Sequence, residues 1–215
     1  MASCDPWTAE YFEEKFINPD PWKYFTSHYE KIKYKRQLDV IMDRRPNPQK
    51  ILEIGSAEGA HTIMIADQFP SAQITCIELS AHAFERAKDN LQSYGDRIKL
   101  VNADITKYEP MLEDCAYDVC VWSESVYYIG AQVSLDKTYR MVERIVGKLR
   151  PEGILIMANT VDLPDDIPES AITERPVIDC YYNFISNQIR PTLKATYNED
   201  KHGRIYEYQI WAFER

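Results

Sequence analysis

Cysteine pairs, basic charge and long apolar runs are all missing from this chain. Cys4, Cys76, Cys115, Cys120 and Cys180 form no C-x-x-C pair, are odd in number, and include two, Cys76 and Cys120, inside apolar runs. That pattern argues against a zinc ribbon or a disulfide framework and predicts reduced thiols used as small hydrophobes, with no metal site. The net charge of −9 weighs against a DNA or RNA backbone as partner, which would need clustered Lys and Arg, and suits a cationic or amine substrate. One basic stretch, Lys31-Ile32-Lys33-Tyr34-Lys35-Arg36, reads as a solvated helix face. No apolar run can span a bilayer, and the first residues lack a basic region followed by an apolar one, so a cytoplasmic protein with no membrane partner is expected. Repeats and low-complexity segments are also missing.

What is present is an alternation of strand and helix signals. The 215 residues fit a single domain. Residues 1–45 carry two helical patterns split by Asn18-Pro19-Asp20-Pro21; Asp20 or Thr26 would cap the second, which ends before Pro46. This part reads as a helical cap or lid. From 46 to 160, strands are expected at Lys50–Ile54, Gln73–Ile77, Ile98–Asn102, Tyr117–Trp122 and Gly153–Asn159. Helices are expected over about 60–69, 81–94 and 134–149, the last with Leu135, Tyr139, Val142, Ile145, Val146 and Leu149 at helical spacing. The run Ile154-Leu155-Ile156-Met157-Ala158 is apolar on both faces, as in a central parallel strand covered by helices. The fold class is therefore α/β with a doubly wound, mostly parallel sheet. The segment 163–190, with prolines and several aromatics, reads as a lid or substrate-side insertion. Residues 191–215 read as a β-hairpin turning over Asn198–Gly203, which supplies an antiparallel last strand.

The chemistry concentrates in Ile51-Leu52-Glu53-Ile54-Gly55-Ser56-Ala57-Glu58-Gly59-Ala60-His61-Thr62, a buried strand, a glycine turn and a helix start. Such a turn brings main chain close to a ligand, and the helix offers free N–H groups to its anionic part. Glu78 ends the next strand, close to the roughly 20-residue spacing expected of a carboxylate that grips ribose hydroxyls. A dinucleotide oxidoreductase of the NAD type would place a glycine where Ala57 stands, so a pyrophosphate seat is poorly supported. A nucleoside with a small zwitterionic arm, S-adenosylmethionine (SAM), fits better.

Five blocks in order carry a resemblance to the class I SAM-dependent methyltransferases over about 50–215: the turn segment, Cys76-Ile77-Glu78-Leu79-Ser80, Val101-Asn102-Ala103-Asp104-Ile105, the run Tyr117–Gly130, and Leu149–Thr160. Such a fold has seven strands. Within that superfamily the chain resembles the NodS group (nodulation protein S, N-methyltransferases of a deacetylated chitooligosaccharide). The residues are Asp20-Pro21-Trp22, Thr26-Ser27-His28-Tyr29-Glu30, Lys33-Tyr34, Gly55–Ala60 and Ser123-Glu124-Ser125-Val126-Tyr127-Tyr128.

The resemblance implies SAM as cofactor, S-adenosylhomocysteine (SAH) as product, and a set of roles. Gly55 and Gly59, with Ser56 and Ala57 between them, let the backbone approach the methionine arm, and Glu53 stiffens the turn and helps hold the amino group. Glu78, beside Leu79, takes the ribose hydroxyls. Asp104 accepts from the adenine amino group, Ile105 covers the ring, and Ser123 lies under the sulfonium. Trp22 and Tyr29 form a lid over the cofactor or pack within the N-terminal helices, and His61 touches the cofactor or faces solvent.

Methyl transfer asks mainly for positioning, and an amine acceptor must also lose a proton. Glu124, after the fourth strand, is the first candidate base; its alternative is a cap or a salt bridge to a lid residue. His28 is the second. Tyr128 adds polar and aromatic surface for an acceptor, and Asn159 could bind an acceptor hydroxyl. His82 and His202 read as surface residues. The expected acceptor is an amino sugar or related amine in natural product biosynthesis. A sugar or natural-product hydroxyl, an oxidoreductase and a non-catalytic SAM-binding protein stand behind it. Monomer and homodimer both remain open.

Overall fold

Strands buried on both faces organise the molecule, because only helices on each side can cover them. The computed structural model describes residues 7–215, so Cys4 lies outside the described residues. Two helices come first, α1 (Ala9–Lys15) and α2 (His28–Arg44). There follow β1 (Lys50–Ile54), α3 (Ala60–Gln68), β2 (Gln73–Glu78), α4 (Ala81–Leu91), β3 (Ile98–Asn102), α5 (Ile105–Tyr108), β4 (Tyr117–Trp122), α6 (Val126–Gln132) and α7 (Leu135–Lys148). The chain closes with β5 (Leu149–Val161), α8 (Ser170–Thr173), α9 (Arg175–Ser186), β6 (Arg190–Lys201) and β7 (Arg204–Glu214).

The sheet has seven strands in the order β3-β2-β1-β4-β5-β7-β6. The first five run parallel, and β7 lies antiparallel between β5 and β6. The strand order reverses between β1 and β4, and ligands of such sheets bind outside the carboxyl ends of strands at that reversal. Successive residues of β1 point to opposite faces. Leu52 joins a core with Cys120, Met141, Ile145 and Leu155, while Ile51 joins one with Leu38, Ile41, Ile65 and Val119. Cys76, Cys115, Cys120 and Cys180 are free thiols. No helix among the described residues is long and apolar enough to cross a membrane.

Several sequence expectations need correction. The 163–190 segment divides in two: Leu163, Ile167, Pro168 and Glu169 face the pocket at the carboxyl ends of the strands, while α9 buries Ile178, Tyr181 and Ile185, spaced three and four apart, against the sheet core. Leu135 and Tyr139 stand on the exposed side of α7, whose buried stripe is Thr138, Met141, Val142, Ile145 and Val146. Helix α2 is preceded by Ser27, which makes no side-chain cap bond. Asp20 instead closes its own turn, accepting from the N–H groups of Tyr24 (2.5 Å) and Phe25 (3.3 Å). The hairpin turns on two residues only, His202 and Gly203, both with positive φ. The polar stretch Asn198–Lys201 continues the ladder to Lys201 opposite Arg204, because a two-residue turn of this hand matches the strand twist.

The basic stretch in α2 is only partly a solvated face. Lys35 is exposed and pairs with Asp39 at 2.7 Å, whereas Lys33 is buried.

Candidate functional site

A cavity of about 860 Å³ opens at the carboxyl ends of the parallel strands. Its floor includes Gly55 after β1, Glu78 and Leu79 at the end of β2, Asp104 and Ile105 after β3, and Ser123 and Glu124 after β4. The N-terminal helices, the 167–169 segment and the hairpin tip supply its other walls.

The glycine turn is built as follows. Gly55 has φ of +77° and donates its N–H to the Ile77 carbonyl at 2.9 Å. An added Cβ there would meet only the Ser125 side chain, no nearer than 3.5 Å, so backbone conformation is what demands glycine. Ala57 also adopts a left-handed conformation, φ +48°, and its N–H donates to Glu78 Oε2 at 2.7 Å. Gly59, with φ of +88°, is also tightly packed: a Cβ there would come within 2.9 Å of Leu91 Cδ1 in α4. It permits close packing of helices and starts α3, and it does not line the cavity.

Glu78 is buried and anchored by two main-chain donors, Ala57 N–H and Ser80 N–H at 2.8 Å. Burial raises its pKa to about 7, against the pull of those donors. Each oxygen retains a lone pair for a further donor, the requirement for gripping a vicinal diol. Asp104 caps α5, accepting from Thr106 N–H at 2.9 Å and Thr106 Oγ1 at 2.7 Å. Its pKa is lowered: partial burial opposes, and the Thr106 and Lys107 interactions prevail.

Three other predicted cofactor residues sit behind the turn, outside the cavity lining. Glu53 accepts from Thr62 Oγ1 at 2.6 Å and Cys76 Sγ at 3.7 Å, and burial raises its pKa to about 7. His61 is buried and stacks on Tyr34, with ring centres 4.4 Å apart. Its Nδ1 lies 3.4 Å from Glu53, within ion-pair reach, but burial pushes its pKa down to about 3 and keeps it neutral. Ser56 is buried beside them.

The end of the cavity around Glu124 is a web of buried charges. Glu124, in a left-handed conformation, accepts from Lys33 Nζ (2.6 Å), Tyr127 OH (2.6 Å), Thr160 N–H (3.0 Å) and Thr160 Oγ1 (2.9 Å). Burial alone would raise its pKa, but the Lys33 charge and these donors lower it. Glu124 is therefore a fixed, ionised anchor with its lone pairs taken, which is the salt-bridge alternative; it is poorly arranged as a base. Lys33 also pairs with Glu30 at 2.8 Å, and Lys201 of the hairpin pairs with Glu30 at 2.7 Å. Both ammonium groups lie about 5 Å from the Tyr29 ring, at 5.0 and 4.9 Å. Ser123 Oγ donates to Gln37 at 2.5 Å and accepts from Ala158 N–H at 3.2 Å.

His28 is exposed and outside the cavity lining, so α2 does not present it as a base. Trp22, Tyr29 and Tyr128 do line the cavity. His202 lines it too, at the hairpin tip, while His82 is partly exposed and pairs with Glu13. Asn159 is fully buried, with no partner for its amide among the described residues, and lies away from the cavity lining.

Sequence reasoning left several residues unassigned. Glu58 lies inside the motif, yet its carboxylate points to the segment between α1 and α2: it accepts from Asp20 N–H at 3.0 Å and Arg86 Nε at 2.6 Å. Arg86 in turn donates to the Phe16 carbonyl at 2.5 Å. Glu58 thus ties the cap segment to the turn. A buried acid within a glycine turn was the available signal. Glu30, Lys33, Glu169 and Lys201 carried none, because their partners lie far away in sequence.

This strand order, with bare main chain after β1 and carboxylates after β2 and β3, is that of the class I SAM-dependent methyltransferases, and SAM is the cofactor such a site takes. Residues 8–164 match the family model of nodulation protein S (NodS), and the chain belongs to that family. The crystal structure of N-methyltransferase NodS from Bradyrhizobium japonicum WM9 in complex with SAH superposes with a TM-score of 0.78 at 18% identity, over 98% of each chain. A tRNA1(Val) (adenine(37)-N6)-methyltransferase of Vibrio campbellii is 41% identical over 63 residues, 28% of this chain and 26% of that protein. A malonyl-[acyl-carrier protein] O-methyltransferase of Geobacter sulfurreducens is 29% identical over 124 residues, 58% of this chain and 43% of that protein. The chain thus spans less than half the length of these two curated relatives.

Proposed function

We propose that the protein methylates a nitrogen of a small-molecule acceptor, an amino sugar or a related amine. The observation that carries this reading is the acceptor end itself. Glu30, Glu124 and Glu169 stand there with Tyr29, Tyr127 and Tyr128, against two lysines, Lys33 and Lys201. Glu30 and Glu124 are paired with Lys33 and Lys201, whereas Glu169 makes no ion pair among the described residues, and an unpaired carboxylate among aromatic faces attracts a cation more than a neutral hydroxyl. The N-methyltransferase named among the family's solved structures supports the same choice.

Bound SAM supplies an electrophilic methyl group; the acceptor lone pair forms the new N–C bond while the C–S electrons pass to sulfur, leaving SAH. In this reading Glu78 holds the ribose hydroxyls, Asp104 and Ile105 the adenine, and Gly55 the methionine arm. Glu53 and Ser56 support the turn from behind. The described residues before about 45 cap the cofactor. An ammonium acceptor needs only to shed a proton to water. A hydroxyl acceptor needs a stronger base, and Glu124, saturated with donors and held ionised by Lys33, does not offer one.

An acceptor screen with labelled SAM over amino sugars, simple amines and glycosylated natural products tests the reading. Label is expected on amines. Transfer to hydroxyls alone would reject it.

A further inference from the structure

Glu169 lines the cavity with only 5% of its surface exposed, and among the described residues it makes no ion pair. Its side-chain partners are two tyrosine hydroxyls, Tyr11 and Tyr128, each at 3.4 Å, near the long limit of a hydrogen bond. A buried carboxylate answered so weakly is costly unless something charged completes it. Around it the aromatic rings interlock. Phe12 meets Tyr128 at 5.1 Å, edge to face, and Trp7 meets Tyr128 at 5.1 Å and Tyr11 at 5.0 Å. Lys15 stands over the Tyr11 ring at 5.4 Å without pairing to Glu169.

A carboxylate beside aromatic faces is the chemistry that recognises an ammonium group, through charge and through the ring quadrupoles. Glu124 cannot serve, because four donors already occupy it. We infer that Glu169, with the rings of Tyr128 and Phe12, seats the ammonium group of the acceptor and sets the preference for amines over neutral acceptors. The inference rests on the amine reading above and adds the residues that would enforce it.

Calorimetric titration of the SAH-loaded protein with a glucosamine disaccharide and with its N-acetylated form tests the seat. The amine is expected to bind wild type and to bind Glu169→Gln at least tenfold more weakly, while the N-acetylated form binds both alike. Phe12→Leu, a half-buried position, should weaken amine binding several-fold. Unchanged SAH affinity in both variants shows the site intact. Equal amine affinity across the three proteins, including none in any, overturns the proposal. Turnover with the same disaccharide separates the two ideas. An amine bound through Glu169 but not methylated overturns the proposed function and leaves the seat standing. An amine methylated with the same KM by wild type and Glu169→Gln overturns the seat and leaves the function standing.

Discussion

The two ends of the cavity hold their carboxylates by different means. At the cofactor end, Glu78 and Asp104 rest on main-chain N–H groups of Ala57, Ser80 and Thr106. At the other end, Glu124 and Glu30 rest mainly on lysines from α2 and the hairpin, with one main-chain donor, Thr160 N–H, added at Glu124. Backbone donors come with the strand–turn–helix geometry and vary little with side chains. Lysine anchors can be exchanged one residue at a time.

The comparison breaks most visibly at Lys33. Replacing it with Met leaves Glu124 without a cation and Glu30 with Lys201 alone, and removing one partner of a buried pair typically costs about 3–5 kcal/mol. Urea unfolding of Lys33→Met is expected to show a loss of that order. A loss below about 1 kcal/mol would mean the charges are hydrated and the two ends do not differ in kind.

At the cofactor end the charge itself is under strain from burial. Glu53 titrates at about 7, raised from an ordinary 4.5 by desolvation and only partly pulled back by Thr62 and Cys76. The folded state therefore holds its proton more tightly than the unfolded state. Its stabilising contribution is full below about pH 4.5 and is lost as pH rises through 7, a change of about 3 kcal/mol. Glu78 adds in the same sense. Without SAM, unfolding free energy should fall from pH 5 to pH 8, and Glu53→Gln should flatten that slope by about half. An identical slope in wild type and variant would discard the buried proton. Glu78→Ala is expected to lose roughly 1.5–3 kcal/mol of SAM affinity, the range for charge-assisted hydrogen bonds. Unchanged binding by calorimetry would remove Glu78 from the ribose role.

The same division explains what was legible in the sequence. The parallel strands, the turn and the acids after β2 and β3 are local signals: apolar runs, a glycine in a forced conformation, a residue at a fixed offset. The acceptor end is written in pairs separated by long stretches of chain, such as Lys33 with Glu124 and Lys201 with Glu30. Nothing near Lys33 in sequence announces its burial, so it read as part of a solvated face. Within 163–190, read as a lid or substrate-side insertion, no helix was foreseen at α9, whose buried stripe of Ile178, Tyr181 and Ile185 serves the sheet while Glu169 before it lines the cavity. Gly59 was expected to serve main-chain approach to the ligand, and its second demand, close packing against Leu91, shows only in space.

The smallest expected effect sharpens the comparison further. Ala57 carries a left-handed backbone, φ +48°, where glycine would fit without penalty. An L-residue in that region costs roughly 1–2 kcal/mol, and replacing Ala with Gly gives back about 0.4–1 kcal/mol through the freer unfolded chain. Ala57→Gly should therefore stabilise the protein by roughly 0.5–1 kcal/mol in urea unfolding. SAM affinity should stay within about twofold, well under the tenfold that 1.4 kcal/mol represents, because the group that holds Glu78 is the Ala57 N–H and glycine keeps it. A marked loss of affinity would show that the methyl group of Ala57 itself touches the cofactor, and that the cofactor end, like the acceptor end, depends on side chains.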